Sequence, residues 1–195
     1  MDKKKCVTAK QIAGAELSVL QFMVDGVDEQ QLRELVEEIK AAKRIFVGGA
    51  GRSLLSMKGF AMRLMQTAHE TYLVGEVCTP SIQPGDLLIV GSGSGKTQVT
   101  LDVVNKAKDH GARTAVLTMH ADAPIARTCD CVVVIPEIPK ITETDEEAAA
   151  FAKKNLAGNF GEAAITLTLD GVIGAMMKES GQDGGTIRYY HANLE

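Results

Sequence analysis

Apolar and polar positions along the chain switch between two periods. Leu87 to Val90 is an unbroken apolar run, the pattern of a short strand covered on both faces as in a parallel sheet. The stretches Arg44–Gly49, Thr71–Val74, Thr114–Thr118 and Cys131–Ile135 read as four further strands. Between them the spacing becomes helical. Leu55, Phe60, Leu64 and Met65 share one face of a helix from Leu54 to about Ala68, which Ser53 is placed to cap. A second helix runs from Gln98 to about His110, and a short one is expected near Pro124. Strands alternating with helices at this spacing predict βαβ units and a parallel sheet.

Two helices precede the first strand. One spans Thr8 to Val24 with Ile12, Leu17, Leu20 and Val24, and the other follows a cap at Asp28 through Leu32, Leu35, Val36 and Ile39. They are expected across the domain or at a subunit contact. Beyond Pro136-Glu137-Ile138-Pro139 an acidic helix start is expected around Thr142–Glu147, its carboxylates suiting a helix N-terminus better than a metal cluster. Phe160 to Met177 is apolar almost all round, which predicts burial between the sheet and another subunit, with Glu162 opening that helix.

The strand at Leu87 runs into Gly91-Ser92-Gly93-Ser94-Gly95-Lys96-Thr97, and the helix begins at Gln98. Glycines let a backbone approach a ligand closely, and the first amides of a helix have no intrahelical partner. With hydroxyls from Ser92, Ser94 and Thr97 around it, such a place suits an anion. The ATP-type loop needs four residues between its glycine and Gly-Lys-Thr, and Gly91 to Gly95 leaves three. The dinucleotide fingerprint needs a third glycine where Gly49-Ala50-Gly51-Arg52-Ser53-Leu54 has leucine. Small sugar phosphates remain as natural occupants, with a plain flexible turn as the bland alternative. Gly51, Arg52 and Ser53, at the exit of the first strand, should meet this loop where the sheet order reverses.

Composition narrows the class without redirecting it. One domain is expected from 195 residues, and 45% hydrophobic with 24% charged residues is ordinary for a globular protein. A net charge of -4 gives no reason to expect nucleic acid, and the lysines at 3–5 are too short a run to change that. No apolar core follows them, and no run is expected to reach the length of a membrane span, so a cytoplasmic protein is expected. Cys6, Cys78, Cys129 and Cys131 form no CxxC pair, which indicates neither a disulfide framework nor a zinc site.

VGGAGRS (47–53), KGFAMRLM (58–65), VGEVCTPSIQPGDLLIVGSGSGKT (74–97), the Glu162 helix and the closing HANLE (191–195) together resemble the sugar isomerase (SIS) domain family, most closely its 6-phospho-3-hexuloisomerase branch. The resemblance spans nearly the whole chain. It implies a three-layer αβα sandwich around a five-stranded parallel sheet, Rossmann-like or flavodoxin-like. It also implies homotetramers (or dimers) with active sites between subunits, contacted through the helices over 8–40 and the tail over 184–195. The implied reaction interconverts D-arabino-3-hexulose 6-phosphate and fructose 6-phosphate without metal or redox cofactor. Three departures bear on specificity: Lys96 where the family usually has Glu, Gln66-Thr67-Ala68 where it usually has His-Leu-Gly, and Gly158-Asn159-Phe160-Gly161-Glu162 where it usually has Gly-Ser-Leu-Phe-Glu.

Moving a carbonyl along a sugar needs a base that takes a proton beside it and returns the proton one carbon away. A partly buried carboxylate can do both near neutral pH. Position and resemblance select Glu162; the alternative is a carboxylate favoured there only by the helix dipole. His191 could polarise the sugar oxygens at a neighbouring subunit's site. Arg52 could hold the sugar or its phosphate, and His69, His110 and His120 read as structural or exposed, although His120 follows the fourth strand and could approach the site. A sugar-phosphate sensor without catalysis is the rival from another class, and an isomerase for another ketose or aldose phosphate is the nearer one.

Overall fold

The computed structural model describes residues 7–142 and 146–194, the side chains of 157–159 excepted. Five strands, β1 (Ile45–Gly49), β2 (Thr71–Leu73), β3 (Leu87–Gly91), β4 (Arg113–Thr118) and β5 (Cys131–Val134), form one parallel sheet in the order β2-β1-β3-β4-β5. All five expected strands are present within a residue of their expected ends. β1 pairs Gly49 with Gly91, and β3 pairs Gly91 with Leu117, so the carboxyl ends of the three central strands lie level. The chain runs outward from β1 to β2 on one side and from β1 to β3 on the other. The order therefore reverses between β1 and β3, where parallel sheets bind ligands.

Alternation along each strand sorts the core into two layers. Ile45, Val47, Leu87, Ile89, Leu117 and Val133 face one side, and Phe46, Leu88, Val90 and Val116 the other, all at most 2% exposed. The first side is covered by α1 (Ala9–Asp25), α2 (Glu29–Ala41), α3 (Gly51–Gln66) and α7 (Ala157–Ser180), with α6 (Glu147–Asn155) beside them. The second is covered by α4 (Gln98–Asp109) and α5 (Pro124–Thr128), a thinner layer that Val104, Ala107 and Ile125 close. This is the expected αβα sandwich. Capping follows the sequence at α1, where Thr8 and Gln11 form a capping box, and at α2, where Asp28 accepts from the Gln30 amide at 2.7 Å.

Four expectations need correction. α3 starts at Gly51, with Ala50 as its cap, so Ser53 sits inside the first turn instead of capping it. Gly51 has φ +55°, a conformation that glycine adopts without steric cost, and this lets the helix begin three residues early. α7 starts at Ala157, so Glu162 lies in its second turn and does not open it. The residues over 184–195 are not a plain tail: α8 (Gly184–Tyr189) forms there, capped by Asp183, which accepts from the Gly185 amide at 2.7 Å. Finally, Phe160–Ser180 is long and apolar enough to cross a membrane by length and composition. In this fold half of that stretch is buried: Phe160, Ile165, Leu169, Val172 and Ile173 point into the core while Leu167 is exposed. The acidic start expected at Thr142–Glu147 lies partly outside the described residues, and α6 begins at Glu147.

Cys131 is buried and Cys129 half-buried, as small core residues should be. Burial is the leading cause that pushes their thiols up, to about 12 and about 11 respectively. Neither is a thiolate near neutral pH, whereas Cys78 is exposed. Alkylation of the native protein with iodoacetamide, mapped by mass spectrometry, should modify Cys78 well before Cys129 or Cys131; equal rates would contradict this packing. Phe160 is 1% exposed and anchors the α7 turn that carries Glu162. Phe160→Ala should cost about 3–5 kcal/mol in urea unfolding, with activity falling further than the loss of folded protein accounts for.

Candidate active site

Two close approaches bring the glycine-rich exits together. A Cβ at Gly49 would lie 3.1 Å from the Gly91 carbonyl oxygen and 3.3 Å from the Leu54 backbone. A Cβ at Gly91 would meet Met57 Cγ at 2.8 Å. Only because both lack side chains does the first turn of α3 settle over the ends of β1 and β3. Gly51, Arg52 and Ser53 occupy that turn, whose first amides have no intrahelical acceptor.

The loop after β3 is pinned from the opposite side. Gly93 O accepts from the Met119 amide at 3.0 Å and from Thr118 Oγ1 at 3.3 Å, and Gly95 O accepts from the Ile125 amide at 3.2 Å. Gly95 has φ +60°, and a Cβ there would lie 2.3 Å from Ala123 Cβ, so only glycine fits. The Gly95 amide closes a turn on Ser92 O at 3.0 Å, and Ser94 Oγ accepts from the Lys96 amide at 3.3 Å. Thr97 is the N-cap of α4 but its hydroxyl makes no capping bond, so that hydroxyl and the first amides of α4 are free for a ligand. The side chain of Lys96 is exposed beside this cradle.

Glu162 approaches from α7. Its Oε2 lies 3.7 Å from Arg52 Nε, with Arg52 largely exposed and Glu162 only 20% exposed. Its carbonyl oxygen accepts from Ser56 Oγ at 3.0 Å and from Thr166 Oγ1 at 3.0 Å, which ties this turn of α7 to α3. The sulfur of Met119 sits 3.8 Å from where a Gly93 Cβ would be and 3.0 Å from where a Gly161 Cβ would be. One side chain thus separates the phosphate loop from the turn that carries Glu162.

Four buried side-chain oxygens have no hydrogen-bond partner among the described residues: Ser92 Oγ, Thr100 Oγ1, Glu162 Oε2 and Thr168 Oγ1. The first three stand at the carboxyl edge of the sheet, Thr100 in the first turn of α4. Buried polar groups are almost always paired, so a cluster of orphans marks where a ligand's polar atoms go.

The SIS domain matches residues 38–164, well over half of the chain, from the end of α2 through the turn of α7 that carries Glu162. The chain belongs to the SIS domain family. A 3-hexulose-6-phosphate isomerase of Methylomonas aminofaciens is 38% identical over 180 residues, covering 91% of this chain and 93% of that protein. One of Bacillus subtilis is 35% identical over 169 residues, covering 87% and 89%. A solved structure from Methanococcus jannaschii, reported to infer a 3-hexulose-6-phosphate isomerase function, superposes with a TM-score of 0.75 at 32% identity, covering 95% and 98%.

Within this SIS fold, Gly51, Arg52, Ser53, Ser92, Gly93, Ser94, Thr97 and Glu162 come to one edge. Gln182, just past the end of α7, donates to Thr67 O at 3.3 Å, so the chain enters α8 at the far end of α3 from Arg52, and His191 follows α8 in an exposed position. Gln66 is at that end too, buried and accepting from Arg63 Nη1 at 2.9 Å, roughly 21 Å along the helix from Arg52. The residues missed in the sequence are Ser56, Met119, Gly161 and Ala123. Ser56 was within reach, being one helical turn from Arg52; the other three act through contacts distant in the chain.

Ser92 is 3% exposed, so its unpaired hydroxyl costs stability in the free protein. Ser92→Ala should therefore leave the melting temperature equal or higher while weakening inorganic phosphate. With Ser94→Ala added, each lost bond to the anion should cost roughly 1.5–3 kcal/mol by calorimetry. Unchanged phosphate affinity in the double variant would remove the loop from the site.

Proposed function

We propose that the protein is a phosphosugar isomerase that interconverts D-arabino-3-hexulose 6-phosphate and fructose 6-phosphate. The observation that carries this is the pairing of an anion cradle with a half-buried carboxylate whose Oε2 accepts no hydrogen bond among the described residues, a short distance across Met119. The named activity of the two relatives, each matched over most of its length, supports the choice of sugar.

The phosphate sits on the amides and hydroxyls of Ser92–Thr97, where helix and loop dipoles favour negative charge. That grip fixes the sugar's far end and holds the carbonyl and its neighbouring carbon against Glu162. Glu162 removes the proton on C2, the C2–H electrons form the C2=C3 bond of an enediolate, and the C3 carbonyl electrons move to O3. Returning the proton to C3 while O2 becomes the carbonyl yields fructose 6-phosphate. Arg52, 3.7 Å from the carboxylate, is placed to offset negative charge as it develops on oxygen. Proton movements suffice, so the reaction calls on no redox cofactor or metal.

The same reading includes assembly, with sites between subunits and His191 of a neighbouring copy reaching the sugar oxygens. Exposed apolar side chains on α3 and α7, Leu55, Met62 and Leu167, support contact between copies on that face.

Glu162→Gln keeps shape and phosphate contacts and removes the base. An NMR assay against a panel of ketose and aldose phosphates should show turnover of the 3-hexulose phosphate by the wild type. The variant should lose at least about a hundredfold in kcat with inorganic phosphate inhibition unchanged. A wild type that binds sugar phosphates and turns over none would instead be a sensor.

A further inference from the structure

Isomerisation moves two protons, and the site as built so far moves one. Glu162 can carry the carbon-bound proton from C2 to C3, but the hydroxyl proton must also pass from O2 to O3. Within one chain the carboxyl edge of the sheet offers a second acid–base pair, in the loops that follow β4 and β5. His120 Nδ1 lies 3.1 Å from Glu137 Oε1, the histidine in the loop after β4 and the glutamate in the loop after β5.

The backbone of His120 is held by two groups that pack against the phosphate cradle. Its amide donates to Thr118 Oγ1 at 3.4 Å, the same hydroxyl that donates to Gly93 O. Its carbonyl accepts from the amide of Ala123, the residue that caps Gly95, at 3.2 Å. The residue before it, Met119, spans Gly93 and Gly161. His120 is thus one residue from the gap between phosphate loop and base, and its side chain is 40% exposed. A carboxylate on Nδ1 fixes the ring and selects the tautomer that leaves an Nε2 lone pair outward.

We propose that His120, oriented by Glu137, is the second proton carrier of the site, passing the hydroxyl proton between O2 and O3. Nε2 takes the proton from O2 as the C2 carbonyl forms, the imidazolium is balanced by Glu137, and the same proton is delivered to O3. Each residue ends as it began, and no other reactant is consumed. The inference rests on the isomerase reading above.

Isotope exchange separates the two protons. In deuterium oxide, an enzyme that can form the enediolate but cannot move the hydroxyl proton returns substrate labelled at C2 without making product. His120→Gln should lower conversion at least about tenfold with KM within twofold, while deuterium wash-in to recovered substrate persists, so the ratio of exchange to conversion rises. Glu137→Gln, at an exposed position with no packing to lose, should shift the ratio the same way by a smaller factor. Conversion within twofold of wild type in His120→Gln, or exchange and conversion falling together in both variants, would overturn the assignment. So would a rise in the ratio on His191→Gln but not on His120→Gln. A wild type showing neither exchange nor conversion would instead refute the isomerase reading itself.

Discussion

Everything at the carboxyl edge depends on two strands being allowed to end in glycine side by side. Gly49 and Gly91 are paired across β1 and β3, and methyl groups there would strike backbone or Met57. Their absence lets α3 descend onto the sheet at the one place where the strand order reverses. Had either carried a side chain, the first turn of α3 would be pushed outward, and with it Arg52, Ser53 and the hydroxyl of Ser56. α7 would follow, since Ser56 holds the carbonyl of Glu162. Geometry at the base is therefore set by backbone clearance two elements away.

The fold also divides labour between its two helical layers. The thick layer of α1, α2, α3 and α7 supplies charge and the base, while the thin layer of α4 and α5 supplies the anion cradle and its lock. They approach each other across the ends of β3 and β4, where Met119 lies between them. Movement of either layer would be felt there first.

The sheet was legible in the sequence because buried parallel strands are short continuous apolar runs bounded by turn residues, and Leu87–Val90 shows that pattern plainly. The phosphate loop was legible because glycine, serine and a helix start make a local signature. Helix starts were less so. Gly51 begins α3 through a positive φ, which a composition rule reads as loop, and α7 begins in Ala157-Gly158-Asn159, with no capping side chain to announce it. Residues whose role is to touch something distant in the chain, such as Met119 and Ala123, leave no mark in spacing. His191 had a recognisable motif, but a motif carries no information on which end of the domain it reaches.

The clamp on Gly95 has a further meaning. Because Ala123 leaves no room above it and three backbone hydrogen bonds hold the loop, the cradle is already in its binding shape before any ligand arrives. A floor so rigid grips every phosphate monoester alike and cannot tell one carbon skeleton from another. Discrimination among sugars must then fall to the rim, where Lys96 is exposed and free to vary without disturbing the grip. Changes of substrate in this scaffold would arise by rewriting that rim over an unaltered floor.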